Sequence, residues 1–226
     1  MEDFIHLHVH TQYSILDGQA AIPKLVDKAI KNGMRGMAVT DHGNMFGIKE
    51  LFNYCNKVNK GKSDEEKFKP IFGCEVYCAR RDLHSKENNA LDKSGWHLIL
   101  LAKNEVGYHN LIKIVSEAWV DGYYHRPRTD HKSIEKHHEG IIASSACLAG
   151  EIPRYIKNGQ IDEAEKSIEW FKSVFGDDFY IELMRHEVKD PMQRANRDTF
   201  KEQKTIEPTL KAKIGRAVQQ ECRDRY

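Results

Sequence analysis

The chain has 226 residues, room for one large domain or two small ones, and its 35 Lys and Arg against 34 Asp and Glu give a formal net charge of +1. A 40% hydrophobic and 31% charged composition excludes disorder and low complexity, and the near-neutral balance excludes a basic nucleic-acid-coating domain. Five cysteines at irregular spacing argue against a disulfide framework. With no basic signal start at Met1-Glu2-Asp3 and no apolar run of membrane-spanning length, they point to a cytoplasmic protein without a membrane partner.

Short apolar runs alternate with amphipathic stretches. In chain order they predict a strand at 4–11, a helix at 22–32, a strand at 35–40, a helix at 46–57, and strands at 70–78 and 96–102. A helix follows at 106–118, then a strand at 140–145, helices at 150–158 and 161–175, a strand at 179–184 and a helix at 191–210. Pro23 near the start of the first helix and Gly33 just past its end are the expected punctuation. The polar stretch 60–69 reads as a loop, and Ile168, Phe171 and Phe175 form an apolar stripe at helical spacing. Strands alternating with helices imply one α/β domain built from βαβ units around a parallel sheet or barrel. Residues 211–226 break the pattern, because no strand follows the helix that should deliver one. The segment KIGRAVQQECRDR resembles translated sequencing-adapter DNA, so 211–226 reads as a non-native tail; the alternative is an ordinary polar helix.

The first strand, Phe4-Ile5-His6-Leu7-His8-Val9-His10-Thr11, places three histidines on one face and Ile5, Leu7 and Val9 on the other. Three imidazoles in a row make a poor apolar core and a good set of metal ligands. Barrel chemistry sits at the C-terminal ends of strands, which favours His8 and His10 and leaves His6 structural. Asp17 follows on the same rim. The next strand ends in Asp41-His42, with His42 as ligand and Asp41 placed to orient an imidazole. Glu75 is acidic within an apolar strand and needs a partner, which a metal cluster provides. Cys147 lies at the end of the 140–145 strand, where a free cysteine is more often a small buried hydrophobe. Arg126 and Arg128, among the aromatics of 121–128, are candidates for DNA phosphate contact. Cys74 and Cys78 form a C-x3-C without a second pair, which reads as strand packing. His131, His137 and His138 read as a solvated helix face.

HLHVHTQYSILDG, AVTDHGNMFG, GCEVY, HLILLAKNEVGYHNL, SSACLAGEI and FYIELMRH follow one another in an order that resembles the N-terminal polymerase-and-histidinol-phosphatase (PHP) domain of bacterial replicative DNA polymerase III alpha subunits. The resemblance covers nearly everything before the tail. It implies a distorted, seven-stranded TIM-like (β/α)7 barrel over 1–210, lacking its final strand, with up to three divalent ions of zinc, manganese or iron type. Its ligand positions fall on His8, His10, Asp17, His42, Glu75, His97 and Cys147, and His97 is selected by the resemblance alone. The family's last two ligands, in a TND-x-H motif on the final strand, have no counterpart. Incomplete metal binding and marginal stability are therefore expected.

The implied activity is metal-dependent phosphodiester hydrolysis of the 3′→5′ exonuclease, proofreading type. The implied partners are a DNA primer 3′ end and other replicase subunits. The polymerase carboxylates of such proteins lie further along, so this segment by itself is expected to transfer no nucleotides. Two other functions stay open at this point: a free-standing PHP phosphatase acting on a small phosphate ester, and a non-catalytic structural module.

Overall fold

The structure, a computed structural model, describes residues 4–187, 193–213 and 217–221. It divides into two compact units, Met1–Gly95 with Ile99–Ile141 and Trp96–Leu98 with Ile142–Tyr226. Four ladders between described strands are parallel, as strand–helix alternation requires, since parallel neighbours need a long crossover. The predicted α/β class is observed.

The first unit runs α1 (Ile22–Lys31), β1 (Gly36–Val39), α2 (Ile48–Val58), β2 (Lys69–Cys78), α3 (Asn89–Asp92), most of β3 (Trp96–Ala102), α4 (Glu105–Val120), β4 (Arg128–Thr129) and α5 (His131–Lys136). Its helix α1 begins with Pro23 in the first turn and ends before Gly33, whose φ of 77° suits glycine. Ile22, Val26 and Ala29 of α1 pack with Met37 and Val39 of β1 and with Ile48, Leu51 and Cys55 of α2 to form the core. β1 pairs with β2 from Gly36↔Lys69 to Val39↔Phe72. The same register carried three residues further sets His42 beside Glu75 as a parallel bridge. In its backbone, Glu75 N–H donates to Asp41 O at 3.1 Å and Gly43 N–H to Glu75 O at 2.8 Å. This continuation delivers two candidate ligands to one place.

The second unit holds β5 (Ile141–Ser144), α6 (Glu151–Lys157), α7 (Ile161–Phe175), β6 (Phe179–Arg185), α8 (Arg194–Lys213) and β7 (Ala217–Glu221). β6 lies between β5 and β7. Ile168, Phe171 and Phe175 are buried as their spacing predicts, and the Phe171 ring stacks on Phe179 at 4.9 Å.

Three expectations are corrected. Residues 4–11 form no regular strand: His6 makes one isolated bridge to Met37. Val9 N–H donates to Thr40 Oγ1 at 2.8 Å and Thr11 N–H to Asp41 Oδ1 at 2.6 Å, so side chains take donors that a ladder would use. A strand does follow the last helix. β7 pairs with β6 from Ile181↔Ala217 to Arg185↔Glu221, occupying an edge whose backbone groups would otherwise be unpaired. His137 is no solvated face, because its Nε2 lies 3.0 Å from Glu117 Oε1 and its side chain is largely buried.

Candidate metal centre

Glu75, in the C-terminal half of β2, is fully buried. A buried carboxylate is costly without compensation, and three imidazoles supply it. His8 Nε2 lies 3.2 Å from Glu75 Oε1, His10 Nε2 3.6 Å from Oε2, and His42 Nδ1 2.5 Å from Oε2. The Nε2 atoms of His8 and His10 approach to 3.2 Å, and the His10 and His42 rings stack at 4.0 Å, nearly parallel. On its other side, His42 Nε2 meets Asp17 Oδ2 at 2.6 Å, and Asp17 is 60% exposed, giving the centre an open side.

These environments split the histidines. Burial holds His10 down to about 4, outweighing the attraction of Glu75, so its ring is neutral near pH 7, the form that binds metal. Burial also acts on His42, but the hydrogen bonds and charges of Glu75 and Asp17 together outweigh it and raise the pKa. His6 stands apart, with its ring edge-on to Phe4 and its pKa lowered by burial.

One ligand atom from each of His8, His10 and Glu75 lies within 4.8 Å of the other two. Two converging imidazole nitrogens and a carboxylate oxygen fit a divalent zinc, manganese or iron-type ion. His10 Nδ1 is buried without a hydrogen-bond partner, so no protein hydrogen bond ties that nitrogen away from a metal.

The 11–18 loop is held by Asp41. Its carboxylate accepts from Thr11 N–H at 2.6 Å, Thr11 Oγ1 at 2.8 Å and Ser14 Oγ at 2.7 Å. Ser14 Oγ in turn accepts from His42 N–H at 3.1 Å. Asp41 therefore fixes the loop bearing Asp17 and the backbone of His42. Gly18 closes the loop where a Cβ would fall 1.8 Å from Thr11 O. Thr11 and Ser14 escape a sequence reading because their partner is about thirty residues away.

Tyr77 was also missed. Its ring lies parallel to His42 at 6.0 Å and carries Arg126, whose guanidinium sits 4.9 Å above the ring while Nη1 donates to Tyr77 Oη at 2.7 Å. Arg126 is exposed. Arg128 is not, and its assignment to DNA phosphate is corrected. It is fully buried, with Nη2 donating to Leu83 O at 3.0 Å and Ser85 O at 2.9 Å and Nε to Gly122 O at 3.2 Å. Cys74 is packed in β2 with its thiol pKa raised by burial.

In the second unit, Cys147 Sγ lies 3.6 Å from His97 Nδ1. The preceding Ala146 is buried at φ 58°, a conformation that is strained for a residue with a Cβ and common at functional turns. At this turn Gly150 N–H donates to Cys147 O at 2.9 Å, and a Cβ on Gly150 would meet Ser145 O at 2.1 Å. Thus His8, His10, Asp17, His42 and Glu75 are gathered in the first unit, and His97 and Cys147 are paired in the second.

The chain matches the PHP domain family over residues 6–186. It is 47% identical over 187 residues to the DNA polymerase III subunit alpha of Borreliella burgdorferi, covering 83% of this chain and 16% of that protein. It is 39% identical to the subunits of that name from Treponema pallidum, over 81% of this chain and 15% of that protein, and Aquifex aeolicus, over 87% and 17%. The chain thus spans about a sixth of the length of the curated relatives it matches.

Proposed function

The chain belongs to the PHP domain family, and on that premise we propose that its first unit binds divalent metal and hydrolyses phosphodiester bonds at a DNA 3′ end, as the PHP region of a replicative polymerase III alpha subunit. The carrying observation is the convergence of His8, His10 and His42 on the buried carboxylate of Glu75. The residues that would hold the ions are His8, His10, Asp17, His42 and Glu75, with His97 and Cys147 as the further ligands that the family pattern assigns.

Bound divalent ions supply Lewis-acid stabilisation of phosphoryl oxygens and a nucleophile from water at neutral pH. The chain's own residues do the rest. Glu75 compensates the buried imidazoles and fixes their spacing. His42 holds a proton between Glu75 and Asp17 when no metal competes. Asp17 stands on the open side, against His42 Nε2. Arg126, braced on Tyr77 through one nitrogen, has further N–H donors for a non-bridging phosphate oxygen. Asp41, through Thr11 and Ser14, keeps the loop from drifting.

The test is hydrolysis of a 5′-labelled single-stranded oligonucleotide with added manganese or zinc, beside histidinol phosphate. Stepwise shortening from the 3′ end supports the proposal. Turnover of histidinol phosphate alone would make the protein a small-ester phosphatase, and activity towards neither, in a metal-loaded chain, would make it a structural module. In the cell the proposed partners are a primer 3′ end and other replicase subunits.

A further inference from the structure

Beside the centre, three aromatic rings lie on the surface in mutual contact. Phe46, Trp119 and Tyr123 are 63%, 42% and 48% exposed. The Trp119 ring is 6.0 Å from Phe46 and stacks on Tyr123 at 5.7 Å. Together they form a contiguous exposed aromatic patch, the kind of surface that binding sites use. Trp119 is also fixed: its indole N–H donates to Gly43 O at 2.8 Å, which satisfies its one polar group and leaves the ring itself as what it offers.

Gly43 joins these rings to the metal centre. It follows His42, adopts φ 62°, and leaves no space for a side chain, since a Cβ would stand 2.8 Å from Pro127 Cγ and 3.2 Å from the Tyr77 ring. One residue therefore touches Trp119 through its carbonyl and the Tyr77 that carries Arg126 through its Cα side. Gly43 thus links Trp119 to His42, which meets Asp17, and to Tyr77, which carries Arg126.

We propose that Phe46, Trp119 and Tyr123 form a stacking platform for the unpaired bases of single-stranded DNA. The inference rests on the reading that the centre acts on a DNA 3′ end, and it names what holds that end. Every base has a π-face, so ring stacking gives affinity without sequence preference. Arg126 complements the phosphates while the rings take the bases, a division that a purely apolar protein partner would not use. A paired end hides its base faces, so the platform selects frayed or mismatched 3′ termini.

The test is fluorescence anisotropy of a labelled oligothymidylate of roughly ten nucleotides, titrated with the full chain in excess chelator so that no hydrolysis occurs. The single strand is expected to bind more tightly than the matching duplex. Phe46→Ala, Trp119→Ala and Tyr123→Ala are each expected to weaken it by about tenfold, and Trp119→Phe to recover most of the loss. Thermal melts check folding, and the Phe46 and Tyr123 variants decide the matter if Trp119→Ala does not fold. Absence of binding, equal binding of duplex, or unchanged affinity in every folded variant overturns the platform. Hydrolysis of bis(4-nitrophenyl) phosphate by the metal-loaded wild-type chain separately tests the centre, so failure of one reading does not mimic failure of the other.

Discussion

Glu75 and Arg128 are both charged and fully buried, yet their surroundings give them opposite meanings. Glu75 faces the imidazoles of His8, His10 and His42, whereas Arg128 faces backbone carbonyls, and burial lowers its pKa. Glu75→Gln keeps the shape and removes the charge; metal affinity is expected to fall by more than about 100-fold, the upper range for lesser changes around metal ligands, as read by competition with a chromogenic chelator. Arg128→Ala strips the donors from Leu83, Ser85 and Gly122 carbonyls. It should cost about 2–4 kcal/mol of stability in a denaturant titration. A stable variant with weakened DNA binding would restore Arg128 as a phosphate contact. The histidines were legible because an alternating His pattern has few structural explanations. The burial of Arg128 was not, since its acceptors come from two separate loops that only the tertiary fold brings together. Asp41 was legible as important but not as to how. Ser14→Ala, which cuts its link to His42, is expected to weaken metal binding about 10-fold or more.

Among elements, β2 from 69 to 78 and β3 from 96 to 102 follow the apolar runs within a residue, because strands packed on both faces read as continuous hydrophobic stretches. The two-residue β4, the one-turn α3 and the short α5 are too brief to show a period. The irregular 4–11 segment shows the opposite limit, an alternating pattern in which the side chains of Thr40 and Asp41 take two backbone donors. The His6 and Val9 carbonyls keep backbone bonds to the next strand. α4 and α5 are joined by Glu117, which accepts from Ser133 Oγ at 2.6 Å and faces His137 Nε2 at 3.0 Å and Lys136 Nζ at 3.2 Å. Burial opposes its ionisation, but these partners together bring its pKa down from 4.5 to about 2. A depressed acid contributes stability that is full above its unfolded pKa and lost as pH falls through the folded one. Wild type should therefore melt above Glu117→Gln at neutral pH, and the gap should close between about pH 4.5 and 2. A gap that stays constant over that range would show that Glu117 acts through packing. Gly43→Ala, strained at φ 62° and crowded by Pro127, is expected to cost about 1–3 kcal/mol.

On the scale of the molecule, family membership and the α/β class agree with the sequence, and no helix among the described residues is long and apolar enough to cross a membrane. The net charge of +1 is compatible with chemistry carried by a buried cluster of imidazoles and a carboxylate instead of a basic face. A platform of rings with one braced arginine needs little excess charge. The central claim is that the cluster around Glu75 is a metal centre, and metal content tests it most directly. After incubation with manganese or zinc and gel filtration, elemental analysis of the wild-type chain is predicted to find at least one tightly held ion per chain, absent from the double variant His8→Ala/His10→Ala with its fold intact. Equal metal content in the two proteins, or none in a folded wild-type chain, would contradict the account.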